Sequence, residues 1–290
     1  MRTKCLDAPA KLNLALFVLG KRGDGYHELL TLFERLDLCD SLKVGLDPLG
    51  PAGVALQCSA PELEGPGNLA YRAAGAFLSA AGIEAQVEIE LEKRIPVARG
   101  LGGGSSDAAA VLKALNELAG FPLKAEALWN LGAGLGADVP FFLRESPWAL
   151  GRGRGDEIEA LELPWELKHL LVVPAIGHST PEVYGALDAG VHRDRVPPEF
   201  VEALCRKDLE QTLRTAANDL EKSAVISEKG VVPEILKWVR SRGLSQARMS
   251  GSGSAVFAVL EKNEKVGAMV EDLESRGLGQ AFVVQTQLGS

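Results

Sequence analysis

The feature that most constrains this chain is a glycine-rich stretch at positions 100–106, Gly-Leu-Gly-Gly-Gly-Ser-Ser. It follows a segment at 87–92 in which apolar and acidic residues alternate, a pattern typical of a strand with one buried face. It precedes a segment at 108–118 whose apolar residues recur at helical spacing. A strand, a glycine loop and a helix in this order predict a phosphate-binding loop, because a helix N-terminus offers unpaired N–H groups and a favourable dipole.

The candidate phosphate-binding residues are therefore the members of this loop. They are Gly100, Leu101, Gly102, Gly103, Gly104, Ser105 and Ser106. Ser105 and Ser106 are predicted to cap the helix, and either hydroxyl could also reach a phosphate oxygen or a magnesium ion. The loop is not a Walker A motif, since no lysine follows the last glycine, so a catalytic cation must come from elsewhere. The alternative interpretation, a flexible linker with a serine cap, fits the flanking strand and helix poorly.

Composition limits the class of protein. With 290 residues, 46% of them apolar, the chain is long enough for two domains, and the glycine-rich and charged stretch at 151–155 with the turn at 163–164 predicts a boundary near 160. The expected domains are 1–160 and 161–290. A net charge of −8 provides no basic surface for nucleic acid, and no apolar run reaches the ~18 residues of a membrane span.

Four widely spaced cysteines, without a Cys-x-x-Cys pair, favour reduced thiols over disulfides or a zinc site. No targeting peptide is apparent, so we expect a cytoplasmic protein. The four histidines share no metal-ligand spacing. The sequence leaves open the oligomeric state and whether Gly289 and Ser290 belong to the natural protein.

The remaining periodicity predicts an α+β fold. Strands are predicted at 12–18, 31–36 and 42–46, with the last two separated at Asp40 and Ser41, and helices at 68–81 and up to about 131, where the glycines at 132–136 should end the second. Beyond 160, we predict strands at 169–173, up to 260 and at 281–284, and helices at 181–187, 232–241 and about 265–273.

Several polar residues are candidates for chemistry. Lys11 and Asn13 would lie about 7 Å apart on one face of a strand, although such a face is more often simply solvated. Asp138 could be a helix cap or turn residue, or a base for an alcohol, since phosphorylating a hydroxyl requires a proton acceptor, with a cation such as Lys11 nearby. Tyr26 and His27 follow a glycine turn. The second glycine-rich turn, at 248–254, is equally well explained as a hairpin or as a ligand-lining loop.

Taken together, these segments resemble the GHMP kinases. The resemblance extends almost from end to end and is carried by Pro-Ala-Lys-Leu-Asn-Leu at 9–14, Gly-Tyr-His-Glu at 25–28, the segment 96–109 around the glycine loop, Gly-Ala-Asp-Val-Pro at 136–140 and Ser-Gly-Ser-Gly at 250–253. It implies two domains with the active site in a cleft between them and ATP as co-substrate. We also expect Mg²⁺, because nearly all such phosphoryl transfers need charge neutralisation. The Lys-x-Asn and Gly-Tyr-His segments resemble the branch of the family that phosphorylates the 2-hydroxyl of a cytidine diphosphate derivative of methylerythritol.

The resemblance also implies roles residue by residue. Asp138 would be the general base and Lys11 its charged partner. The substrate pocket would consist of Asn13 on the polyol, His27 on the cytosine, Tyr26 and Tyr184 on its two faces, and Thr180 on the wall. The ATP site would add Pro96, and, near the adenosine, Lys93 and Asn68, to the glycine loop. No carboxylate ligand for the metal is identified.

Two residues depart from the family pattern, Arg99 before the loop and His178 before Ser-Thr at 179–180. Arg99 would either add a charge near the phosphates or point to solvent. Two rival functions remain: a family member that phosphorylates a different small alcohol, and a nucleotide-binding sensor that has lost catalysis. The sensor predicts a missing base or lysine, whereas both candidate residues are present.

Overall fold

The computed structural model describes residues 1–177, 180–187, 193–223, 231–261 and 266–288. The chain divides into two compact units, one formed by residues 1–10, 38–97 and 102–145 and the other by 11–37, 98–101 and 146–290. Two long strands, β1 (Arg2–Lys21) and β2 (His27–Asp47), pair with each other and contribute residues to both units. These units are not contiguous stretches of sequence, and the boundary expected near 160 remains a prediction.

The first unit combines a small sheet with helices. Besides parts of β1 and β2, it contains a 3-10 turn (Pro61–Leu63), α1 (Leu69–Ala81), α2 (Gly103–Leu118), α3 (Ala125–Leu135), α4 (Val139–Leu143), β3 (Gly53–Cys58) and β4 (Gln86–Glu92). Strand β4 lies antiparallel to β2 and parallel to β3. Val87, Ile89 and Leu91 of β4 are buried, and the glutamates between them are exposed, so one face of the sheet forms core.

The second unit contains two sets of antiparallel strands. Besides parts of β1 and β2, its elements are β5 (Trp148–Arg152), β6 (Glu157–Leu161), β7 (Lys168–Val173), α5 (Thr180–Leu187), α6 (Pro198–Cys205), α7 (Leu209–Thr215), α8 (Val231–Ser241), β8 (Arg248–Met249), β9 (Val256–Val259), α9 (Val266–Ser275) and β10 (Gln280–Gln285). Strands β2, β5 and β6 pair in that order, and a separate sheet has the order β10-β7-β9-β8. Leu170 and Val172 of β7 share a buried cluster with Ile235 and Val239 of α8. The predicted α+β class is confirmed.

One predicted strand break is wrong. Asp40 and Ser41 do not separate two strands but lie inside β2, which is continuous from His27 to Asp47. The Asp40 side chain is fully buried and accepts hydrogen bonds from the backbone N–H groups of Arg94 (2.5 Å) and Ile95 (2.8 Å). Partners more than fifty residues away thus satisfy a side chain that, read locally, indicates a turn.

The predicted end of the second helix is also wrong. Helix α3 continues through Gly132 and Gly134 to Leu135. A Cβ added at Gly132 would lie 2.8 Å from Leu143 Cδ1 and 3.1 Å from Val139 Cγ1, so this glycine allows α4 to pack closely. The glycine-rich stretch at 151–155 connects β5 and β6, which form an antiparallel hairpin.

Two general expectations can be compared with the structure. All four cysteines, Cys5, Cys39, Cys58 and Cys205, are free. None of the helices in the described ranges combines the length and hydropathy that a membrane span requires.

Candidate active site

The glycine loop has the predicted position, between β4 and α2, but not the predicted cap. Helix α2 begins at Gly103, and Gly102, with φ 72°, occupies the N-cap position without a side-chain hydrogen bond. Ser105 and Ser106 therefore lie in the first turn of the helix, where the Ser106 N–H already donates to Gly102 O at 2.9 Å. The predicted serine cap is wrong because glycine supplies the left-handed conformation that opens the helix.

Beside the loop lies a buried group of three charges, the Asp40–Lys93–Asp107 triad. Lys93 Nζ forms ion pairs with Asp40 and with Asp107 Oδ2, the latter at 2.7 Å, and the lysine side chain is only 8% exposed. A Cβ added at Gly103 would lie 3.3 Å from Lys93 Nζ, which places the ammonium directly beneath the start of α2. Lys93, which the resemblance places near the adenosine, therefore lies directly under the first turn of α2, paired with Asp40 and Asp107. These two aspartates were not predicted from the sequence.

Burial and the neighbouring charges shift the pKa values of Asp107 and Lys93. Burial raises the pKa of Asp107 to about 7, with Lys93 opposing this shift and Asp40 adding to it. Burial alone would lower the pKa of Lys93, but the carboxylates of Asp107 and Asp40 raise it above its usual value. Asp107 Oδ1 and the adjacent Ser106 Oγ are buried without a hydrogen-bond partner. Two buried oxygens beside the phosphate loop thus have no hydrogen-bond partner among the described residues.

Asp138 lies two residues after Gly136, which is close to Ser105 of the phosphate loop. It is half-buried and immediately precedes α4, whose N-terminus it does not cap with its side chain. A Cβ added at Gly136 would lie 3.7 Å from Ser105 Oγ, so the turn that leads to Asp138 passes beside the first turn of α2. The predicted helix-capping alternative for Asp138 is therefore not observed.

Lys11 and Asn13 form a buried pair, as their spacing predicted. Each is 3% exposed, and Lys11 Nζ donates to Asn13 Oδ1. Asn13 Nδ2 donates to Thr31 Oγ1 at 2.8 Å, and Lys11 Nζ lies 5.6 Å from the centroid of the Phe33 ring. The alternative of a merely solvated strand face is wrong, since a buried ammonium requires specific partners.

The second glycine-rich turn lies against this pair. It connects β8 and β9 as a hairpin, and Ser250 Oγ accepts from Asn13 N–H at 3.2 Å and donates to Gly100 O at 3.0 Å. A Cβ added at Gly251 would lie 2.9 Å from Asn13 Oδ1 and 3.4 Å from Lys11 Nζ. The turn is therefore a hairpin that lies against the Lys11–Asn13 pair, and its role as a ligand-lining loop stays a prediction.

The aromatic residues form a further part of the same unit. The His27 and Tyr184 rings lie 5.1 Å apart, tilted by 30°, and His27 is 7% exposed. Tyr26 is exposed, and the Arg154 guanidinium lies 4.9 Å from its ring centroid. Thr180 Oγ1 is 2.8 Å from Ser252 Oγ, which connects the start of α5 to the second glycine turn.

Two further residues singled out from the sequence, Asn68 and Arg99, hydrogen-bond to backbone groups. Asn68 caps α1, since its Oδ1 accepts from Ala70 N–H at 2.8 Å and its Nδ2 donates to Leu63 O at 2.9 Å. Pro96 is half-buried just before the loop. Arg99 is half-buried and its guanidinium donates to Pro174 O (3.1 Å) and Ala175 O (2.7 Å), so it does not simply point to solvent, and a charge near the phosphates stays a prediction. His178 and residues 289–290 lie outside the described residues.

Comparison with known proteins identifies the family. The model of the GHMP kinases N terminal domain matches residues 68–146, and that of GHMP kinases C terminal matches residues 200–278. A 4-diphosphocytidyl-2-C-methyl-D-erythritol kinase of Geobacter sp. (strain M21) is 40% identical over 287 residues, which cover 98% of this chain and 99% of that protein. This chain belongs to the GHMP kinases. It is an ATP-dependent kinase, as the resemblance implied.

Other known proteins are similar to this chain over nine-tenths or more of its length. The enzyme of the same name from Desulfitobacterium hafniense (strain Y51) is 41% identical over 272 residues, 90% of each chain. The crystal structure of a 4-(cytidine 5'-diphospho)-2C-methyl-D-erythritol kinase is 39% identical, covers 99% of this chain and 100% of its own, and has a TM-score of 0.79. A homoserine kinase from Cytophaga hutchinsonii, 19% identical with a TM-score of 0.71, covers 100% of this chain and 96% of its own, and shares the fold.

Proposed function

We propose that this GHMP kinase transfers the γ-phosphoryl group of ATP to the 2-hydroxyl of 4-diphosphocytidyl-2-C-methyl-D-erythritol, a step in the synthesis of isoprenoid precursors. The relatives named for that substrate match nearly the whole chain. We further propose that the enzyme acts in the cytoplasm, which is consistent with its four free thiols.

The observation that carries the substrate proposal is a continuous set of contacts in the second unit. The Lys11–Asn13 pair lies against Gly251, and the next residue, Ser252, contacts Thr180. Tyr184 follows Thr180 by one helical turn, about 6 Å along α5. Its ring is in turn stacked on His27. Polar groups suited to a polyol and rings suited to a base are thereby connected through one helix and one turn.

The aromatic end suits a pyrimidine. In the proposal, His27 hydrogen-bonds the cytosine, whereas Tyr26 and Tyr184 cover its faces, and stacking on such rings contributes about 1–3 kcal/mol per base. Asn13 and Thr180 bind the methylerythritol part. Cytosine would enter by replacing part of the contact between the His27 and Tyr184 rings.

The ATP phosphates are assigned to the glycine loop. The free N–H groups of the first turn of α2 point toward the loop, where the helix dipole favours an anion. Lys93 supports the turn from below through Asp107, and Pro96 precedes it. Asn68 fixes the start of α1 by capping it. We propose that Lys93 and Asn68 border the adenosine, each with its structural contact retained.

The chemical step requires a base and a cation. We assign the base to Asp138, which accepts the proton of the attacking hydroxyl, and the cation to Lys11, which orients that hydroxyl and stabilises negative charge as the phosphoryl group moves. The transfer is direct, without a covalent enzyme intermediate. Asn13 keeps the Lys11 ammonium in place through its Oδ1.

Mg²⁺ fits the loop. This ion usually takes one or two protein oxygens together with phosphate oxygens, and the unpartnered Ser106 Oγ and Asp107 Oδ1 are such oxygens. Among the described residues, no group of three or more His, Cys, Asp or Glu side chains could hold a metal by itself, which agrees with an ion that depends on the nucleotide. When bound, Mg²⁺ would neutralise phosphate charge. This assignment is tested by calorimetry, which compares the affinity for ATP with and without Mg²⁺ in the wild type and in Ser106→Ala.

The substrate proposal is tested by ADP release with the cytidyl compound, with free 2-C-methyl-D-erythritol 4-phosphate and with homoserine and mevalonate. We expect efficient turnover only with the cytidyl compound. Equal activity on the free polyol phosphate would instead identify a kinase for a smaller alcohol. No turnover with any alcohol, despite ATP binding, would favour the sensor.

The base is tested by Asp138→Asn. We expect kcat to fall by about 10²–10⁴, the usual contribution of a general base, with an unchanged affinity for ATP by calorimetry. Asp37→Asn, a change of the same chemistry at an exposed aspartate, is the control. Turnover of Asp138→Asn at the level of the control would remove Asp138 from the mechanism.

The cytosine pocket is tested by His27→Ala. We expect the KM for the cytidyl substrate to rise by roughly 5- to 150-fold, because leaving a buried hydrogen-bonding group of the cytosine without its partner costs about 1–3 kcal/mol, while the KM for ATP stays the same. An unchanged KM for the cytidyl substrate would argue against this pocket, and a parallel rise in both constants would indicate general damage to the fold.

A further inference from the structure

A cleft in the second unit lies outside every contact assigned to the kinase reaction. It has a volume of about 590 Å³, within the range of small-molecule sites. Five basic and two acidic side chains line it, although the whole chain carries a net charge of −8. The charged lining residues are Arg193, Arg214, Asp219, Glu221, Lys222, Arg240 and Arg248.

The two acidic side chains of the cleft already form ion pairs with arginines, Asp219 with Arg193 and Glu221 with Arg240. Both carboxylate oxygens of Asp219 accept from Arg193 Nε at 2.8 Å, and Oδ2 also accepts from Val18 N–H at 3.0 Å. Glu221 pairs with Arg240 at 3.1 Å and accepts from Met249 N–H at 3.2 Å. Each carboxylate therefore neutralises one arginine, and three of the five cations are left over.

Arg248 is the most unusual of these three. It is 6% exposed and donates to the backbone carbonyls of Leu213 and Ala216, but it has no ion pair among the described residues. Burial lowers the pKa of its guanidinium to about 10, with Glu221 raising it and Arg240 lowering it further, so the group stays charged at neutral pH. Its Nη1 is buried without a partner, as is Oε1 of the neighbouring Gln246.

The other two cations lie at the rim. Arg214 and Lys222 are exposed, and neither takes part in an ion pair within the described ranges. Together with Arg248 they give the cleft three positive charges without carboxylate partners. Buried guanidinium groups normally pair with an anion, since leaving one uncompensated is costly.

We propose that this cleft binds the phosphate or diphosphate group of a small metabolite. A planar guanidinium bonds two phosphate oxygens at once, and two rim cations add charge around such a group. The floor of the cleft includes Asn218, whose Nδ2 donates to Met249 O and Gly251 O, both at 2.8 Å. Because Gly251 lies against Lys11 and Asn13, Asn218 connects the cleft to the same turn that lines the proposed substrate pocket.

The proposal is tested on the whole protein by NMR titration with inorganic pyrophosphate, at an ionic strength kept constant with NaCl. We expect saturable shifts of the backbone amides of Ser245, Gln246 and Ala247. Amides at 102–106 report binding at the phosphate loop separately, so this result is independent of whether the kinase proposal holds.

Variants locate the site. The rim double variant Arg214→Gln/Lys222→Gln should raise the midpoint for the Ser245–Ala247 amides several-fold, up to about 30-fold, since each exposed charge contributes up to about 1 kcal/mol. Arg206→Gln/Lys237→Gln removes two exposed cations of the same unit away from the cleft and should leave the midpoint unchanged. Arg248→Lys should weaken binding because lysine keeps the positive charge but loses the planar guanidinium that bonds two phosphate oxygens at once.

Three results would overturn the proposal. One is the absence of saturable shifts at Ser245–Ala247, and another is a midpoint in the rim double variant equal to that of the wild type. The third is an equal response to citrate or to NaCl alone, which would identify general anion attraction rather than phosphate recognition. The rim variants affect exposed residues, so the outcome does not depend on whether Arg248→Lys folds.

Discussion

Replacing Gly100 by alanine should damage the phosphate loop far more than the same change at another glycine of similar conformation. Gly100 has φ +75°, and an added Cβ would lie 2.2 Å from Ser250 O and 3.2 Å from both N and O of Gly253. Gly82, at the C-terminus of α1, has φ +63° and nothing within 4 Å of the added Cβ. The two positions share the backbone strain and differ in the space available.

The magnitudes follow from that difference. The left-handed conformation costs a non-glycine residue roughly 1–2 kcal/mol, which is the whole expected loss for Gly82→Ala. At Gly100, the contact with Ser250 O is more than 1 Å too short for an ordinary carbon–oxygen contact, so the turn must move as well. Overpacking of this kind costs about 1–3 kcal/mol, which gives an expected total of about 2–5 kcal/mol for Gly100→Ala.

Urea unfolding monitored by tryptophan fluorescence measures both losses, and the KM for ATP measures displacement of the loop. Gly82→Ala should keep the wild-type KM, whereas Gly100→Ala should raise it because Gly100 and Ser250 move apart. The reasoning fails if the two variants lose the same free energy of unfolding, or if Gly100→Ala is as stable as the wild type.

Two further predictions concern buried charges. Because burial raises the pKa of Asp107 from 3.8 to about 7, the folded state retains a proton that the unfolded chain has released, so the free energy of unfolding should fall as the pH rises toward and through about 7. Asp107→Asn should flatten this fall between about pH 4 and 7, whereas Asp272→Asn should not, since the pKa of Asp272 is lowered by Arg276; an identical slope in Asp107→Asn would contradict the assignment. Lys93→Met should cost about 3–5 kcal/mol in urea unfolding because it leaves two carboxylates buried and unpaired. Lys43→Met, which breaks an exposed pair with Glu90, should cost less than about 1 kcal/mol, and equal losses would refute the distinction.

Much of the local structure could be predicted because it depends on neighbouring residues. The helix at 68–81, the strand at 87–92 and the strand–loop–helix order around the glycines are properties of periodicity and capping, and all were observed. The pairing of Lys11 with Asn13 followed from the period of two in a strand. Family resemblance supplied the roles, which spacing alone left open.

The missed features depend on distant residues. Asp40 has the local appearance of a turn residue, but Lys93 and the backbone of Arg94 and Ile95 satisfy it inside a strand. Asp107 follows Ser-Ser directly, and an acidic residue in the first turns of a helix beside a phosphate loop was a signal that could have been used. The cap at Gly102 could not be inferred, because serine and glycine both occur at N-caps and both were present.

The two long strands have a consequence for exchanging parts between relatives. The chain changes compact unit between residues 10 and 11, 37 and 38, 97 and 98, 101 and 102, and 145 and 146, and the first two of these changes fall inside β1 and β2. A chimera joined at a single position therefore divides at least one compact unit between two parents. Functional recombinants should be obtained more readily by exchanging the three segments of a unit together than by any single crossover, however similar the parents are.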